Sequence, residues 1–360
     1  MIDVLSTVRD SARLRYWLGP WAPAAERPER VTLRDVRGLH AGSRLYAPLD
    51  REPRGAFLIS PGLHYEGPSD PRMDRLARIF ASAGFVVMSP AVPDLMQLRL
   101  TPAVTVDVAR ALEALLDAPE LPAGCRPAIF SVSVGSLAAL RVASIVRFSS
   151  AISHLVVFGG YADPIALIRS LTLEPRDPLN RPAAMLTLLE HLPGAPASDG
   201  ADAELLREAW REMVRTTWPH PALKVPGGTL HHPIARAIAG ELPSHLQPLF
   251  AIGCGVLPGA WELCEAALAS PGDPYAYLDP RPHLEQLACP VTIVHGVADD
   301  VIPFEQAGEL GGALPAAVAF TTLATGLLAH SNAVAPAGRA MAVVRELRTF
   351  NRICRAIGRS

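Results

Sequence analysis

One serine in this chain stands where a hydroxyl can become a nucleophile. Residues 127–136 read P-A-I-F-S-V-S-V-G-S, a short β-prone run that breaks into small residues and then an Ala-rich helical segment. The pattern predicts strand, sharp turn and helix, with Ser133 at the turn. A serine hydroxyl attacks a carbonyl only when the fold exposes it, a base takes its proton and backbone N–H groups face the developing oxyanion. A tight turn supplies the exposure and one such donor. It also demands small residues two positions before and after the nucleophile. Ser131 and Gly135 meet that demand around Ser133, with serine in place of the usual first glycine. Ser131 itself is flanked by Ile129 and Ser133, and Ser136 by Val134 and Ala138, so neither neighbour fits.

Other chemistries find less support. His231-His232 beside Pro233 suggests a metal at first sight. Adjacent residues rarely aim at one ion, however, and no cysteine or carboxylate stands at ligand spacing. Gly227-Gly228 and Gly311-Gly312 lack the strand-and-helix context of a phosphate loop. No metal and no cofactor is expected.

The elements that must position Ser133 alternate. Residues 31–36 and 43–46 predict two edge strands around a turn, and 56–60 a buried strand ending in Pro61-Gly62. A helix over 73–83 stops at Gly84 and hands over to a strand at 85–88. Helix 104–116, strand 128–132, helix 136–146 and strand 155–158 follow. Buried strands in βαβα rhythm predict an α/β fold with a mainly parallel central sheet flanked by helices. From Tyr161 the rhythm gives way to Pro-rich helical pieces, one of them at 203–214 with Leu205, Leu206, Ala209, Trp210 and Met213 along one side. Sheet rhythm returns at 290–294 and 318–323, before a closing helix near 341–353. The expected organisation is therefore an N-terminal helical segment (1–30), a first core part (31–161), a helical insertion between two late strands (162–285) and a second core part (286–360).

Composition sets the partners. The 360 residues are 49% hydrophobic and 19% charged, with a formal net charge of −2. That balance gives no polyelectrolyte surface for nucleic acid. Lys224 is the single lysine, and arginine with abundant Ala and Pro reads as the codon bias of a GC-rich bacterial genome. Five cysteines without paired spacing argue against a disulfide framework and for a reducing, cytoplasmic setting. No apolar run reaches the ~18 residues of a membrane span, and Asp3, Arg9 and Asp10 interrupt any secretory signal. The segment 4–21 is expected to pack on the domain, with contact at a membrane surface as the second reading. Homo-oligomerisation is left open.

Four separate sites together resemble the α/β-hydrolase superfamily, over residues 30–160 and 286–355. Besides Ser133, H-G-V-A-D-D-V-I-P at 295–303 is similar to the stretch in which that family's triad acid follows a His-Gly pair. The resemblance implies Asp299 as the acid, with Asp300 as the alternative. His330, in G-L-L-A-H-S-N, follows the strand at 318–323 where the family carries its base, and the order Ser133, Asp299, His330 is that of this fold. S-P-G-L-H-Y-E-G at 60–67 occupies the place of the family's His-Gly oxyanion loop, with Pro61 in place of the histidine. It implies the backbone N–H groups of Leu63 and Val134 as oxyanion donors. His64 and Tyr65 are candidates for the pocket wall.

The resemblance makes the helical insertion a cap over the nucleophile. Its apolar segments 183–192 and 249–268 suggest an apolar acyl or alcohol pocket, with Trp210, Phe250 and Trp261 as candidate contacts. The implied activity is a serine hydrolase that cleaves small-molecule carboxylic esters through an acyl-enzyme. An acyltransferase or thioesterase with the same triad, or a silent scaffold that binds a ligand or partner, are the alternatives. A serine nucleophile argues against the haloalkane dehalogenase and epoxide hydrolase branches, whose nucleophile is aspartate. The short segment before the first strand leaves no room for the propeller of a prolyl-oligopeptidase.

Overall fold

A computed structural model describes residues 12–19, 21–23, 25–173, 175–326 and 340–358. Within them, eight strands form one sheet: β1 (Val31–Asp35), β2 (Arg44–Pro48), β3 (Gly55–Ser60), β4 (Phe85–Ser89), β5 (Ala128–Val132), β6 (Leu155–Phe158), β7 (Val291–Gly296) and β8 (Phe320–Thr325). Their order is β1-β2-β4-β3-β5-β6-β7-β8. The first two pairings, β1 with β2 and β2 with β4, are antiparallel, and every pairing from β4 to β8 is parallel.

The strands are central because both of their faces are apolar. Ala56, Leu58, Val86, Met88 and Ile129 join one core layer, while their neighbours Phe57, Ile59, Phe85, Val87 and Phe130 join the other. Side chains two apart share a face, so near-continuous apolar runs fill both layers at once. Helices α1 (12–18) and α2 (Pro71–Ser82) cover the second layer. The first is covered by α3 (Pro93–Met96), α4 (Pro102–Leu116), α5 (Ser136–Ala143) and α6 (Val146–Ser149).

Between β6 and β7 lie α7 (Pro164–Thr172), α8 (Arg181–Leu188), α9 (Ala201–Thr217), α10 (His232–Gly240), α11 (Gln247–Gly253) and α12 (Ala260–Leu268), with no strand among the described residues. Helix α13 (Glu305–Ala313) separates β7 from β8, and α14 (Ala340–Gly358) closes the chain.

Several expectations shift. The helix expected over 136–146 ends at Ala143 and a separate turn, α6, follows. Leu205 is exposed, whereas Leu206, Ala209, Trp210 and Met213 are buried; the apolar stripe of α9 is one residue narrower than its composition suggests. In α1, Leu14 is fully buried, Arg13 donates to the Ser82 carbonyl at 3.0 Å and Arg75 to the Trp17 carbonyl at 2.9 Å, so this helix packs on α2. Among the described residues no helix is long and apolar enough to cross a membrane, and all five cysteines are free thiols.

Candidate active site

In a parallel sheet all carboxyl ends share one edge, where ligands of open α/β folds bind. Strand β3 delivers Pro61, Gly62 and Leu63 to that edge, β5 delivers Ser133, and β7 leads to Asp299. Strand β8 ends at Thr325, five positions before His330, which lies outside the described residues.

Ser133 has φ of +56° and follows a fully extended Val132. This left-handed conformation costs a residue with a side chain about 1–3 kcal/mol and concentrates at functional sites. The chain turns there from strand into the 3-10 turn Ser133–Gly135 and then into α5. Packing explains why the flanks are small. A Cβ at Gly135 would stand 2.2 Å from the Pro61 carbonyl oxygen and 2.6 Å from that of Ser60. The Ser60 hydroxyl donates to the Gly135 carbonyl at 2.8 Å. The loop after β3 and the turn after β5 are thus locked together. A Cβ at Gly62 would lie 3.1 Å from Ser133 Cβ and 3.8 Å from its Oγ. Ser131 takes the first-glycine position without conflict: fully buried, it donates to the Val156 carbonyl of the next strand at 3.3 Å.

Asp299 is 2% exposed. Its Oδ1 accepts the backbone N–H groups of Val301 and Ile302 at 2.9 and 2.8 Å, and Oδ2 lies 3.6 Å from His295 Nε2. Those two N–H groups hold the carboxylate in one rotamer. His295, the histidine of the His-Gly pair, is itself buried and bonds the Ile302 carbonyl at 2.9 Å, which ties the loop after β7 into a compact turn. The Oδ1 of Asp300 is buried and meets no hydrogen-bond donor among the described residues.

A cavity of about 370 Å³ opens beside Ser133, a volume suited to a small organic ligand. Leu63, Val134, Leu167, Ala183, Trp218 and Val301 give it apolar walls. His64 lines it as well, stacked on Tyr65 with centroids 4.5 Å apart. Burial, against the pull of Asp70, pushes the His64 imidazole down to about 4, so the ring is neutral near pH 7. Tyr65 is not a lining residue. Trp210 and Phe250 are fully buried, the indole N–H donating to the Phe250 carbonyl at 3.3 Å, and they belong to the packing of the insertion. Trp261 also packs there, with Arg169 over its ring. None of these three lines the cavity.

Sequence reasoning missed the polar corner of the cavity, formed by Asp177 and Lys224 from the insertion. The signal was present, since Lys224 is the single lysine.

One donor set has the composition of a metal site: His64, Glu66 and Asp70 bring ligand atoms within 4.8 Å of one another. Arg72 already grips Asp70, with Nη2 at 2.6 Å and its own backbone N–H at 2.7 Å. A dication would sit against that guanidinium, so the set fits an ion poorly. His231 bonds the Cys254 carbonyl at 3.0 Å and its ring meets that of His232 edge-on, a structural contact.

No family model matches the chain, and no curated protein does. Among solved structures, it is similar to an esterase of Pyrobaculum calidifontis at 15% identity, covering 99% of this chain and 92% of that one, with a TM-score of 0.48. An alpha/beta hydrolase superfamily protein from Enterococcus faecalis is similar at 14% identity, 91% and 98% coverage and a TM-score of 0.47. The esterase domain of a Rhodothermus marinus protein is similar at 14% identity, 92% and 99% coverage and a TM-score of 0.45. The chain's own architecture carries the assignment: parallel strands from β4 to β8, a strained serine turn after β5 and helices inserted between β6 and β7. This chain has the fold of the α/β-hydrolase superfamily.

Proposed function

We propose that the protein is a serine hydrolase that cleaves carboxylic esters with apolar acyl or alcohol groups. The observation that carries this reading is Ser133 at φ +56°, strained at the carboxyl end of a central strand with the Gly62 loop against its Cβ. In this reading His330 takes the hydroxyl proton as Oγ attacks the ester carbonyl, and Asp299 orients the imidazole and stabilises its protonated form. The tetrahedral oxyanion is received by the N–H groups of Leu63 and Val134. Val134 lies in the first turn of a helical segment, where backbone N–H groups have no intrahelical acceptor. Collapse breaks the C–O bond, His330 returns the proton to the leaving alkoxide, and water activated by the same histidine hydrolyses the acyl-enzyme.

Helices α7 to α9, with the loop that bears Lys224, roof the site in this reading, which makes residues 162–285 a cap. The apolar walls Leu63, Leu167, Ala183 and Trp218 favour an aliphatic chain. Each methylene buried there is worth about 0.8 kcal/mol. Turnover of p-nitrophenyl esters from acetate to dodecanoate tests the proposal. The expected kcat/KM rises severalfold per added methylene and falls once the cavity is full, and Ser133→Ala abolishes it. A protein that turns over no ester contradicts the hydrolase reading, and a flat chain-length profile contradicts the apolar substrate class.

A further inference from the structure

The cavity wall is largely apolar; besides Ser133, His64, Arg75 and Asn180, two ion pairs reach it, and the two differ. Arg72 and Asp70 meet through several short contacts that satisfy both groups. Asp177 and Lys224 do not. The Asp177 side chain is 1% exposed, and its Oδ1 accepts the Leu179 backbone N–H at 3.0 Å. Its Oδ2 has no hydrogen-bond partner among the described residues. Lys224 Nζ stands 3.5 Å from that oxygen, longer than a good N–H···O bond. A buried carboxylate oxygen held only by so long a contact with the ammonium keeps part of its desolvation cost. A ligand in the cavity can remove that cost.

Charge selects the ligand's chemistry. A carboxylate brought to Lys224 would also face Asp177, 3.5 Å from the ammonium. An ammonium brought to Asp177 would meet Lys224. A neutral hydroxyl suits both atoms, since one oxygen accepts from Nζ and donates to Oδ2. Resting on the ester-hydrolase reading above, we propose that Lys224 and Asp177 form a specificity site for a hydroxyl on the substrate, so that the preferred esters are apolar with one hydroxyl group.

The test compares methyl hexanoate with its 2-, 3- and 6-hydroxy derivatives, monomethyl adipate and methyl 6-aminohexanoate. Two quantities are read: kcat/KM on the wild-type protein by proton release, and Kd on Ser133→Ala by calorimetry. At one hydroxyl position or more, the hydroxy ester is expected to exceed the parent roughly tenfold, the worth of one well-placed hydrogen-bonding group. The two charged esters are expected to fall below the parent. Lys224→Met and Asp177→Asn, with melting by circular dichroism as a check on folding, are expected to bring the hydroxy-to-parent ratio to one or below. In Asp177→Asn the amide oxygen can still cap the Leu179 N–H, which keeps the local turn.

Equal ratios at every hydroxyl position, a charged ester preferred over the hydroxy esters, or a preference that survives in both variants would overturn the proposal. If the wild-type protein turns over no ester, the hydrolase reading fails. The Kd ratio on Ser133→Ala then still decides whether the corner recognises a hydroxyl.

Discussion

Gly135 offers the sharpest perturbation. Its φ of −60° is one that alanine adopts freely, so Gly135→Ala carries no backbone penalty and its whole effect is steric. The added methyl would stand 2.2 Å from the Pro61 carbonyl oxygen, about 1 Å inside an ordinary carbon–oxygen contact. The Ser60 carbonyl at 2.6 Å closes the other escape. Both obstacles are backbone, so the loop after β3 must retreat by about 1 Å and carry Gly62 and Leu63 with it. Overpacking of this kind costs about 1–3 kcal/mol. A 1 Å displacement of oxyanion donors costs roughly 10²-fold in rate. Gly308→Ala is the control: nothing lies within 4 Å of its added methyl, and alanine within α13 is expected to stabilise by about 0.5–1 kcal/mol. The assay is kcat/KM on a p-nitrophenyl ester beside a urea denaturation midpoint for each variant. Wild-type kinetics and stability in Gly135→Ala would refute the claim that the two loops are locked at this glycine.

Two further outcomes are expected. Asp299→Asn lowers kcat by up to ~10⁴ and Asp300→Asn far less, because only Asp299 is held by two backbone N–H groups; stopped-assay turnover of the two variants ranks them, and the reverse ranking moves the acid to Asp300. His64, pushed by burial from 6.5 to about 4, binds fewer protons folded than unfolded between those values. Stability therefore falls as pH drops from about 6.5 to 4, and His64→Gln flattens that fall in urea midpoints measured across the range. An unchanged pH slope in the variant removes His64 as its cause.

The sheet was legible because its physics is local. Buried parallel strands are short apolar runs, and β5 begins and ends at the residues its composition marks, Ala128 and Val132. Ser133 was legible because a strained turn constrains its flanks, although the reason Gly135 must be glycine, the carbonyl of Pro61, lies 74 positions away. Helix α13 was missed because Gly308, Gly311 and Gly312 lower its propensity; burial of Ala307 and Leu310 against the sheet outweighs that deficit. Trp210 and Phe250 were assigned to the cavity wall because an apolar face announces burial without naming what covers it. The insertion's own core takes both. Asp177 and Lys224 meet across a turn, a helix pair and a loop, a contact that no local pattern encodes.

The central claim is that Ser133 is the nucleophile, and covalent trapping tests it most directly. The protein would be treated with a fluorophosphonate, digested, and the modified peptide sequenced by mass spectrometry. The account predicts one adduct, on the Oγ of Ser133, absent from Ser133→Ala. An adduct on another residue, or one that persists in Ser133→Ala, would contradict it.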